Sequence, residues 1–212
     1  MENKIKLVSF DLDDTLINDI HSVMLLCILN NKYEELLDIE KRKFKGEDGW
    51  IEADIHKAKL LVGLEVSEVK KNFKRIMKPV KNIEFVVETL HKNGIQSIVI
   101  TAGPVQVAQA VKELYGFDDF YGSNYEDVDG VFTGRLLNHL GKAGKVSCLF
   151  DYCEKANISP SECIAVGDGF TDIPIFEVCA KSIALNYSPA VKGKATHYIK
   201  TQDLSDVLKF II

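Results

Sequence analysis

Three carboxylates fall within four residues in the stretch Phe10-Asp11-Leu12-Asp13-Asp14-Thr15-Leu16. Carboxylates held this close repel one another, and burying them unpaired is strongly unfavourable. A cation is therefore expected among them, and Mg²⁺, a hard cation, suits oxygen donors. Asp11 and Asp13 are two residues apart, so in extended chain they point to the same side. One of the pair can serve as nucleophile and the other as general acid/base. A solvated acidic turn is the alternative that this stretch alone leaves open.

The acidic stretch follows Ile5-Lys6-Leu7-Val8-Ser9-Phe10, an apolar and β-branched run that reads as a buried strand. From Ile17 to about Lys78 the pattern is helical, with apolar runs around Val23–Leu29, Tyr33–Ile39 and Trp50–Val62, interrupted at Gly46-Glu47-Asp48-Gly49. Ser67 is placed to cap a further helix that ends before Pro79. No strand pattern is expected here. Beyond Val80 a helix over Ile83–Asn93 precedes the strand Ser97–Ile100, and a helix over Val105–Tyr115 precedes a hairpin turning at Asp129-Gly130. Lys142 and Lys145 open the next helix, after which Cys163–Val166, Ser182–Leu185 and His197–Ile199 read as strands and Leu204–Ile211 as a closing helix. Strands alternating with helices predict a parallel sheet covered on both faces.

Composition narrows the function classes. With 212 residues, 46% apolar and 27% charged, the chain is long enough for one ordinary domain or a core with a modest insertion. A net charge of −5 gives no general basic field for nucleic acid or acidic membranes. There is no apolar run of about 18 residues, so no membrane span is expected. Met1-Glu2-Asn3-Lys4 lead into the first strand without a signal-peptide pattern. The five cysteines include no C-x-x-C pair and read as reduced packing residues of a cytoplasmic protein.

Polar residues stand just after three of the predicted strands: Asp11 and Asp13, then Thr101-Ala102-Gly103, then Gly167-Asp168-Gly169-Phe170-Thr171-Asp172. In open α/β sheets, ligands bind at the carboxyl ends of the strands, so these segments should converge, with Lys145 joining from a helix start. Each also has a purely structural reading. Thr101 could cap the next helix, Lys145 could be a solvated lysine, Gly167–Gly169 a turn, and Asp172 an N-cap.

Together these residues resemble the haloacid dehalogenase-like hydrolases. Asp11-x-Asp13-x-Thr15, Thr101 after an apolar strand, Lys145 standing 23 positions before Asp168, and Gly167-Asp168-Gly169-x-x-Asp172 match that superfamily's four motifs in order. The resemblance is greatest to its phosphoserine phosphatase branch. It implies an α/β Rossmannoid core over 1–16 and 80–212 and an all-helical cap over 17–79. It implies Asp11 as nucleophile, Asp13 as acid/base, and Mg²⁺ held by the Asp11 carboxylate, the Asp13 backbone carbonyl and Asp168, with Asp172 holding a ligand water. Thr101, Ala102, Gly103 and Lys145 would bind the phosphoryl group of a small phosphorylated metabolite, and a homodimer is left open. The recognition residues depart from the branch. Asp14 stands where Ser is typical, Ile20 at the usual acidic position with Asp19 one place off, and Lys57 near the usual arginine. Thr171 replaces an Asn, and Trp50 keeps an aromatic cap position. Asp19, Trp50 and Lys57 are therefore the expected substrate contacts. Transfer of the phosphoryl group to an alcohol acceptor, or a non-catalytic signalling role, are the rival expectations.

Overall fold

The computed structural model describes residues 4–212, with only the backbone of Lys142. Residues 1–3, read above for a leader pattern, lie outside the described residues. The first strand, β1 (Leu7–Phe10), is buried along its whole length. A short strand, β2 (Ile17–Asn18), leads into α1 (Ser22–Leu29), α2 (Tyr33–Glu40), α3 (Gly46–Ala58) and α4 (Ser67–Ile76), and β3 (Lys78–Pro79) follows. Then come α5 (Ile83–Lys92), β4 (Gln96–Pro104), α6 (Val105–Tyr115), β5 (Asp119–Val128) and β6 (Val131–Asn138). The chain finishes with α7 (Gly141–Ala156), β7 (Cys163–Gly167), α8 (Ile173–Val178), β8 (Lys181–Leu185), β9 (His197–Ile199) and a 3₁₀ segment over Leu204–Phe210.

Seven strands form one sheet in the order β6-β5-β4-β1-β7-β8-β9. All neighbours are parallel except β5 and β6, the hairpin at one edge. Side-chain alternation sends Val8, Phe10, Val99, Ile164 and Val166 to one face, packed with Val86, Leu90, Val107 and Val111 of α5 and α6. Leu7, Ile98, Ile100 and Ala165 face the other way, packed with Leu149, Tyr152, Ile175 and Phe176 of α7 and α8. Because both faces are buried, the central strands read as continuous apolar runs. The chain leaves β1 for β4 on one side and later returns to β7 on the other. The crevice at the carboxyl ends of β1, β4 and β7 is thus the sheet's switch point.

Several expectations change. Residues 17–79 are not wholly strandless, because β2 and β3 pair antiparallel through Ile17–Pro79 and Asn18–Lys78. Two residues per strand carry no periodicity to read. Gly46–Gly49 does not interrupt the helices but opens α3, with Gly46 at φ +69. Ser67 is not a cap: Val66 takes that place, and the Ser67 hydroxyl donates to Glu65 instead. The closing segment is 3₁₀ rather than α, and its three-residue period lines up Leu204, Val207 and Phe210 toward the core. The hairpin turn is at Asp129-Gly130, at φ +51 and +76, as a two-residue turn with both central residues left-handed requires.

Candidate active site

Parallel register sets Phe10 beside Val99 of β4 and Val166 of β7. The Asp11 N–H, one residue on, donates to the Val166 carbonyl at 2.9 Å. The segments after these three strands therefore meet, and they line one cavity of about 350 Å³ with residues of α1–α3 above them.

Lys145, on the first turns of α7, is 1% exposed and is no solvated lysine. Its ammonium donates to Asp11 Oδ1 and Asp172 Oδ1, both at 2.6 Å. Burial opposes its charge, but Asp11 and Asp172 outweigh that and hold Lys145 above the ordinary lysine value. Burial pushes the Asp11 carboxyl upward, Asp172 and Asp168 add to this, and Lys145 pulls against them. Asp168 is pushed up to about 7, first by burial and then by Asp172 and Asp14. Asp172 does not cap α8 with its side chain. Its Oδ2 accepts the Asp168 and Gly169 N–H groups, each at 3.0 Å, so it ties the loop after β7 to Lys145.

One carboxylate oxygen from each of Asp11, Asp168 and Asp172 lies within 4.8 Å of the others. Three carboxylates face one ammonium there, so the cluster carries excess negative charge, and all its donors are oxygen. Such a site fits a hard divalent cation. The Asp13 carboxylate is not part of the cluster. It is turned toward α1, where the Ser22 N–H and hydroxyl each donate to it at 2.6 Å. Burial raises its pKa while the Ser22 hydrogen bonds pull it down.

Thr101 is buried near the end of β4, and its Oγ1 accepts the Gly103 N–H at 2.9 Å rather than capping α6. Gly103 packs against Ser22, Asp13 and Thr101, leaving no room for a β-carbon. Ala102 and Gly103 line the cavity beside Asp11 and Lys145.

The helical side brings Trp50 and Lys57 to the cavity but not Asp19. Asp19 lies in a turn at φ +67, and its carboxylate meets Lys78 at 3.0 Å. The pairing of β2 with β3 brings Lys78 to it and leaves it lining an adjoining surface pocket that shares Asp14, Asp168 and Ser188 with the cavity. The structure therefore does not bring Asp19 into the cavity with Trp50 and Lys57. Sequence reasoning missed His21, Ser22, Glu40, Asp54 and Phe170, all of which line the cavity. Only Ser22 could have been suspected, as a polar residue opening an apolar helix. The rest are brought in by how the helices pack.

The haloacid dehalogenase-like hydrolase family model matches residues 8–177. Over its full length the chain is 29% identical to the phosphoserine phosphatase of Methanocaldococcus jannaschii, which it covers completely. It is 27% identical to the phosphoserine phosphatase of Idiomarina loihiensis, with 98% of this chain and 94% of that protein aligned. A solved phosphoserine phosphatase structure with a phospho-aspartyl intermediate analogue superposes with a TM-score of 0.81 at 28% identity, covering 99% of this chain and 100% of that one.

Proposed function

The chain belongs to the haloacid dehalogenase-like hydrolase family and is a phosphoric monoester hydrolase of the phosphoserine phosphatase-like kind, and we propose that it works through Asp11 as nucleophile. What supports this most is the buried contact of Lys145 with Asp11 and Asp172, with Asp168 beside them and Asp13 two residues along the same strand end. In this reading residues 17–79 form a cap over a core of 1–16 and 80–212.

One Asp11 oxygen attacks the phosphorus in line, the ester P–O bond breaks, and Asp13 gives its proton to the departing alkoxide. Asp13 then takes a proton from water as the water oxygen attacks phosphorus. The acyl-phosphate P–O bond breaks, and Asp11 and inorganic phosphate are released. A carboxyl raised by burial suits this two-way proton duty. Ser22 aims it, and Lys145, Thr101 and Ala102 stabilise the phosphoryl oxygens. The Gly103 N–H joins them only by leaving Thr101.

Asp11, Asp168 and the Asp13 backbone carbonyl would hold Mg²⁺, since the Asp13 carboxylate is engaged by Ser22. Asp172, with both oxygens engaged, orders Lys145 and the Asp168 loop. A bound Mg²⁺ would screen these carboxylates from the incoming phosphate dianion and polarise it. The five cysteines are free, and the Cys153 and Cys163 Sγ atoms share a hydrogen bond at 3.5 Å rather than a disulfide, which fits a reducing, cytoplasmic setting.

The substrate is a small phosphate monoester, and phosphoserine, the substrate in the relatives' names, is the first to test. Phosphate release with Mg²⁺ should be measured over a panel of monoesters that includes it. At least one ester is turned over by the wild type, and Asp11→Asn lowers that kcat by about 10⁴-fold or more. Equal rates in both proteins would contradict the assignment.

A further inference from the structure

Resting on the phosphatase reading, we infer that the pocket selects a leaving group that carries a cationic amine and no carboxylate: the phosphate ester of a small amino alcohol. The cap end of the cavity contains Glu40, Trp50, Asp54 and Lys57. Lys57 is already engaged. Its ammonium lies 3.3 Å from Asp54 Oδ1 and 3.7 Å from Glu40 Oε1. Among the described residues lining the cavity there is no arginine. The other basic side chains are Lys145, at the phosphate end, and His21, paired with Asp14 at 3.1 Å.

His139 does not restore the balance. Its Nδ1 accepts the Gly141 N–H at 3.0 Å, so the ring proton sits on Nε2 and is donated to Asp54 Oδ2 at 3.0 Å. The ring is neutral in this arrangement. Two carboxylates against one ammonium leave this wall with one excess negative charge. Asp54 is only 5% exposed, so water screens it little. A carboxylate on the leaving group would meet Lys57 only in the field of Glu40 and Asp54. An ammonium would be attracted to Glu40, whose side chain is 41% exposed, and to the Trp50 ring. That ring is held T-shaped against His139 at 4.4 Å and Phe170 at 5.7 Å between centroids. At about 350 Å³ the cavity stands at the small end of ligand pockets, in keeping with a small leaving group.

The test compares kcat/KM of the Mg²⁺-loaded protein for phosphoethanolamine, phosphoserine and phosphoglycolate. The amine ester is expected to exceed the carboxylate-only ester by about tenfold or more, one step of 1.4 kcal/mol, and to equal or exceed phosphoserine. Glu40→Gln should raise KM for phosphoethanolamine by about tenfold and narrow its ratio to phosphoserine, a selective change that mere loss of fold would not give. Phosphoserine preferred over phosphoethanolamine by about tenfold would overturn the inference and leave the phosphatase reading standing. So would equal use of all three esters, or a ratio unmoved in Glu40→Gln. No turnover of any ester would sink the parent reading, and the inference with it.

Discussion

At the residue scale, one ammonium, Lys145, meets the carboxylates of Asp11 and Asp172, and Asp168 adds a third negative charge beside them. The Asp168 carboxyl, ordinarily near 3.8, is pushed up to about 7. Between those values the cation-free folded protein holds a proton that the unfolded chain has lost. Its stability therefore falls as pH rises through that window. A divalent cation competes for the same carboxylate, so it should stabilise the protein more when the proton is already gone. We expect the Tm increment from saturating Mg²⁺ to be larger at about pH 8 than at about pH 5, and this difference to shrink in Asp168→Asn. Equal increments at both pH values in the wild type would contradict the placement of the cation. The acidic motif was legible because three carboxylates in four residues demand a partner. Lys145 was legible only through the family spacing, because nothing in its own neighbourhood distinguishes it from a solvated lysine.

At the scale of elements, the site depends on how closely the end of β4 approaches the start of α1. Gly103 is the narrowest point, since a β-carbon there would run into the Ser22 hydroxyl and come within 3.0 Å of Asp13 Oδ2. Its φ is not in the left-handed region, so the constraint is space and not backbone conformation. Gly103→Ala should therefore displace the Asp13–Ser22 pair with little loss of stability. The expected result is a kcat about 10²-fold lower with Tm changed by no more than about 4 °C, read by phosphate release and calorimetry. A wild-type kcat would refute the coupling of Asp13 to α1. The three site-bearing strands were legible as apolar runs ending in polar residues. The pairing of β2 with β3, which holds Asp19 against Lys78, was not. The 3₁₀ geometry of the closing segment was also hidden, because Leu204 and Val207 suit either helix type at that length.

At the scale of the whole molecule, strand order does what sequence distance does not. Asp11 and Asp168 lie one residue beyond β1 and β7, and Thr101 lies near the end of β4; these strands are neighbours in the middle of the sheet though far apart in the chain. That convergence follows from alternating strands and helices. The cap wall does not. Glu40, Asp54 and His139 come from α2, α3 and the chain before α7, and no local pattern predicts that Glu40 and Asp54 meet Lys57 or that His139 meets Asp54. The phosphate end of the pocket was thus readable, and of the leaving-group end only Trp50 and Lys57 were. The central claim is that the phosphoryl group passes through Asp11. The most direct test is to quench the protein in acid during turnover of a cleaved ester and map the phosphoryl group by peptide mass. The account predicts one phosphoryl group, on the peptide bearing Asp11, lost on further incubation in water and absent from Asp11→Asn. Undiminished turnover by Asp11→Asn, or label found on another residue of the wild type, would contradict it.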